Sequence, residues 1–133
     1  MNAPEHLQHK PIVAVNDYDK IDGPHAHHTD TRALSIGQAQ YDGNHISGKV
    51  WRHTGNKWSR QSEEMPIHRS IDLATLFVAS LLASNGVKAP LSNLNEQVVD
   101  GNKLKAIHDY YLKHETIIKP KLEELKRVLD KLL

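Results

Sequence analysis

Between Leu73 and Ala83 the chain is apolar apart from Thr75 and Ser80, and this stretch restricts the fold more than any other part of the sequence. Ile71, Ala74, Val78, Leu81 and Leu82 recur at spacings of three and four, while Leu73, Leu76 and Phe77 widen the apolar surface around the cylinder. Such periodicity predicts a helix, and a helix that is apolar on most of its faces has to be covered by something. It is too short for a bilayer, which needs about 20 residues, so a core helix is predicted. Immediately upstream, Thr54-Gly55-Asn56 separates two aromatic-containing runs, the pattern of a hairpin. The order of hairpin and then helix predicts an α+β fold: a small, mainly antiparallel sheet of three or four strands packed on a buried central helix, with a C-terminal helical layer.

The remaining elements follow from alternation and turn chemistry. Pro11 to Val15 is β-branched and bounded by Pro11 and Asn16-Asp17, as a short strand is. Ala33 to Tyr41 and Ile46 to His53 alternate with a period of two around Asp42-Gly43-Asn44, and Lys57 to Ser62 is expected as a fourth strand. On the third strand Ile46, Gly48, Val50 and Arg52 share one face and Ser47, Lys49, Trp51 and His53 the other, which leaves the buried side open. Pro66 suits a first helical turn, and Asn85-Gly86 a helix end. From Leu104 the apolar positions Ile107, Tyr111, Ile118, Leu122, Leu125, Leu129 and Leu132 form a seam whose register shifts around Pro120, predicting two helices or one kinked helix. Residues 1–10 read as a flexible N-terminal tail and residues 11–133 as a single domain.

A chain of 133 residues with net charge +1 has only weak whole-molecule attraction for nucleic acid or anionic lipid. The absence of cysteine removes disulfides, thiolate metal sites and cysteine nucleophiles, in keeping with a cytoplasmic setting. Pro4, Glu5, His6 and His9 stand where a secretory signal would need an apolar run, and no membrane association is expected.

No catalytic constellation is legible, and three weaker patterns remain. Ten histidines are present, three of them in Pro24-His25-Ala26-His27-His28-Thr29-Asp30. In an extended loop His25 and His27 would project to one side, and with Asp30 they could hold a divalent metal, Zn²⁺ or Fe²⁺, helped by Asp17, Asp19 or Asp22. The competing expectation is a solvated polar loop with no cofactor. The Asp17 to Gly23 run departs from a calcium loop, since its third carboxylate and its glycine each come one residue late. Trp51, Arg52, Trp58 and Arg60 interleave cations with aromatics, the composition of single-stranded nucleic-acid binders, although tryptophans on adjacent strands also pack on each other. His68 and Arg69, close to Glu63 and Glu64, would form a polar cluster at the helix start.

The run from Trp51 to Leu73, together with Val13 to Gly23, resembles a family of small uncharacterised bacterial proteins with no assigned activity. The resemblance implies a bacterial cytosolic setting and transfers no function. The sequence reading is therefore a non-catalytic interaction or regulatory protein, self-associating as a homodimer through its C-terminal helices. A divalent-metal enzyme and a nucleic-acid binder are the alternatives.

Overall fold

Alternation along the strands decides which side of the sheet is buried, and the side chosen is the one with small and polar residues. The computed structural model describes residues 1–60 and 62–133. Strands β1 (Lys10–Asn16), β2 (Thr31–Gln38), β3 (Ile46–Arg52) and β4 (Glu63–Pro66) form a four-stranded antiparallel sheet in the order β1-β2-β3-β4, so every neighbour in sequence is a neighbour in space. Thr31, Ala33, Ser35 and Gly37 of β2 are buried, as are Ser47 and Trp51 of β3, whereas Ile36 and Ile46 on the opposite face are exposed. Register explains the choice: Ala33 lies opposite Trp51 and Gly37 opposite Ser47, so small residues make room for the indole.

The expected fourth strand over Lys57 to Ser62 is displaced to Glu63–Pro66. Thr54 to Lys57 closes a tight loop instead, in which Thr54 N–H donates to Lys57 O (2.9 Å) and Gly55 takes φ 100°, a value that favours glycine. An isolated bridge between His53 and Trp58 follows directly, and the ladder resumes where Glu63 meets Val50. Both edges of the sheet are irregular. β1 carries Pro11 and a register shift between Pro11 and Val13, and β4 is four residues long and ends in Pro66.

Residues 1–10, expected as a flexible tail, contribute to the interior: Pro4 and His9 are buried, and Ala3 N–H donates to Asn16 Oδ1. The chain divides into two compact units, Met1–Ile71 and Asp72–Leu133.

Helix α1 (Ile67–Ser84) forms over the predicted stretch, but the expectation that it is buried is overturned. Ala79 is its buried residue, while Ile71, Leu73, Leu76, Val78 and Leu82 are exposed. Within the second unit Leu76, Ala79, Ser80 and Ala83 border a cleft of about 410 Å³ together with Val98, Leu104 and Ile107. The apolar surface extends round more of the cylinder than that one covered side, which is why so much of it is solvated. By length and composition alone α1 is long and apolar enough to cross a membrane.

Helices α2 (Leu104–Lys113) and α3 (Glu115–Leu132) are separated at His114, whose N–H donates to both Tyr110 O and Tyr111 O. The break therefore precedes the expected one, and Pro120 sits inside α3. Leu125, Val128, Leu129 and Leu132 on α3 are exposed.

Candidate functional site

The buried face of the sheet is built around His9, which has no exposed surface. Its Nε2 lies 2.9 Å from Ser35 Oγ on β2, and its Nδ1 lies 2.9 Å from Ser47 Oγ on β3 and 3.2 Å from Glu64 Oε1 on β4. Donor chemistry fixes the tautomer. Ser47 Oγ–H is spent on Glu64 and the Glu64 carboxylate only accepts, so His9 Nδ1 is the donor and Nε2 accepts from the Ser35 hydroxyl, whose oxygen in turn accepts the Trp51 Nε1–H (2.8 Å). The imidazole proton then sits on Nδ1, directed at Ser47 and Glu64, while Ser47 Oγ–H donates to Glu64 Oε1 (2.7 Å). Gln40 N–H adds a further donor to the same oxygen (2.9 Å).

These contacts set the charge states. Burial pushes His9 below its ordinary range, and the Glu64 carboxylate opposes this only in part. Burial alone would raise Glu64, but the Gln40 N–H, Ser47 hydroxyl and His9 outweigh it and hold the carboxyl below its usual range. Lys49, opposite Glu64 in the ladder, is lowered by burial and partly restored by that carboxylate. The network is thus neutral at His9 and ionised at Glu64.

In atom order, hydroxyl to imidazole to carboxylate, Ser35, His9 and Glu64 reproduce a nucleophile, base and orienting acid. Access decides against that use. Ser35 is 4% exposed, and its oxygen already accepts the Trp51 N–H. The trio forms a rigid floor.

Beside this floor opens a cleft of about 880 Å³ bordered by Lys49, Trp51, Trp58, Arg60, Tyr41 and Glu64, among others. Lys49 Nζ stands 4.2 Å over the Trp51 ring, and Trp58 is braced edge-on by Trp51 (5.7 Å, 71°) and His53 (5.0 Å, 86°). Of the predicted binding residues, Trp51, Trp58 and Arg60 meet here. Trp51 is 1% exposed, so its ring is spent on the core and offers no face to a nucleic-acid base.

Arg52 points elsewhere, binding Asp30 (2.7 Å) and Glu63 (2.8 Å), pairs whose hydrogen bonds raise its pKa further. With His25, His28, Asp22 and Asp30 it borders a separate cleft of about 540 Å³. The loop is not extended there. A 3-10 turn at Gly23–His25 and a left-handed His27 (φ 69°) send His27 away from that lining, and Asp30 is held by Arg52. Among the described residues no group of three His, Asp or Glu side chains could hold a metal ion. His68 and Arg69, on the first turn of α1, border a third cleft with Tyr41, His45 and Pro66. The expected cluster with Glu63 and Glu64 does not form, because those carboxylates are engaged by Arg52 and by His9 and Ser47.

Comparison with family models matches residues 1–91 to a family of unknown function, DUF6530. The chain belongs to this family. Comparison with curated proteins and with solved structures gives no match. The DUF6530 region holds the sheet, the whole His9 network, the three clefts of the first unit and α1, and ends before α2 and α3. Within it, sequence reading found Trp51, Trp58 and Arg60, missed His9, Ser35 and Ser47, and assigned Glu64 to a cluster with His68 and Arg69 in place of the His9 network. The available signal was two serines at inward positions of adjacent DUF6530 strands, on the same face as Trp51.

Proposed function

We infer that the protein acts by binding, not by turnover, with the cleft over the His9 floor as its ligand site. The observation that supports this reading is the closed network. Ser35, His9 and Glu64 Oε1 spend their hydrogen bonds on one another, on Ser47, on Trp51 and on the Gln40 backbone, which suits a preorganised wall and keeps the Ser35 hydroxyl turned inward. A fluorophosphonate probe of serine nucleophiles tests it. No labelling of Ser35 is expected in the folded protein, and stoichiometric labelling would replace binding with acyl-transfer chemistry.

A second reading, self-association through the helical unit, is favoured by the exposed stripe of Leu125, Leu129 and Leu132 on α3, spaced by four and three residues as in helix-pairing seams. Sizing with light scattering over a range of concentrations should show a dimer mass, and a monomer throughout would remove this reading.

A further inference from the structure

The charges of the large cleft narrow what it can hold. Among the described residues three ionisable side chains of full charge border it, Lys49, Arg60 and Glu64. Glu64 is committed through Oε1 to His9, Ser47 and the Gln40 N–H. Neither Lys49 nor Arg60 makes an ion pair among the described residues. One positive charge is therefore left over at the cleft, and Arg60 offers the planar fork that matches a carboxylate or phosphate.

The aromatic side is equally restricted. Trp58 is held by two neighbouring rings before any ligand arrives, so little ordering entropy is lost when a flat group lies against it. Tyr41 borders the same space. A volume of about 880 Å³ lies within the range of small-molecule sites. A nucleic-acid strand would need successive stacking rings and several phosphate contacts, and with Trp51 buried the cleft supplies one tryptophan and one surplus cation.

We propose that this cleft binds a small ligand made of a flat aromatic group joined to one anionic group, a carboxylate or a phosphate. The proposal rests on the binding reading given above and names the ligand class of that same site.

Both tryptophans of the chain lie at this cleft, so intrinsic fluorescence reports on it directly. The full-length protein is titrated with phenyl phosphate and with benzoate, and with inorganic phosphate and benzyl alcohol as the separate halves. At least one aromatic anion should give saturable quenching at or below about millimolar concentration, and each half should bind on the order of tenfold more weakly. Whichever aromatic anion binds more tightly identifies the anionic group. Arg60→Ala, at an exposed position, should weaken binding about tenfold, the loss expected of a charge-assisted hydrogen bond, while Arg127→Ala on α3 should leave it unchanged. Trp58→Leu, followed by calorimetry, should do the same as Arg60→Ala. Absence of saturable binding by both aromatic anions, binding of either separate half as tight as that of the tighter aromatic anion, full affinity in Arg60→Ala, or tighter binding of a single-stranded oligonucleotide would each overturn the proposal. Fluorophosphonate labelling of Ser35 marks failure of the binding reading itself, so the two failures are distinguishable.

Discussion

His9 gives both ring nitrogens to serines while having no contact with solvent, and its removal exposes how much of the sheet depends on it. In His9→Ala, the Ser35 hydroxyl loses its acceptor and Glu64 loses a donor, while the imidazole leaves a cavity beside Trp51. A loss of about 3 kcal/mol in urea unfolding is expected, the sum of one to two unmet polar groups and the void. Acidification should act through the same residue. His9 has a folded pKa below its ordinary 6.5, so its contribution is complete above pH 6.5 and is lost as pH falls below that value towards the folded pKa. Glu64, also lowered, contributes above its ordinary 4.5 and loses that contribution as pH falls through its folded pKa. Both signs agree, so the urea midpoint should drop between pH 7 and pH 4, and His9→Gln should flatten the upper part of that decline. None of this was legible beforehand. Positions 9, 35, 47 and 64 share no spacing, and only pairing across three strands brings them together.

The register shift in β1 is met by Gly37 on β2, where a Cβ would come 2.0 Å from the Lys10 carbonyl oxygen and 2.8 Å from Pro11 Cα. Gly37→Ala therefore has to push β1 outward, and with it the segment that delivers His9. A loss of roughly 1–3 kcal/mol is expected, with faster hydrogen exchange across β1. Gly43→Ala, with open space around its Cβ position, should change stability by less than about 0.5 kcal/mol. Strand β1 was readable from its β-branched run bounded by Pro11 and Asn16-Asp17, and β2 and β3 because alternation and Asp42-Gly43-Asn44 agree on them. β4 was not, since Glu63-Glu64-Met65-Pro66 has little strand character of its own and is extended because Ser47 to Val50 pairs with it. Helix α1 was readable as a helix from its periodicity, but composition alone could not say which of its apolar faces would be covered.

At the scale of the molecule, the family-defining region and the exposed α3 stripe are separate parts of the chain, which lets each be altered alone. Leu129→Glu together with Leu132→Glu should convert a dimer to a monomer by light scattering and leave ligand quenching of Trp58 intact. Retention of the dimer mass would show that α3 is not the contact. The two border strands carry a consequence of their own. Pro11 and the neighbouring irregularity break one margin of the sheet, and the short β4 with Pro66 ends the other. Copies cannot readily lengthen one another's ribbon by main-chain pairing, so the sheet is guarded against open-ended fibrillar growth through its edges.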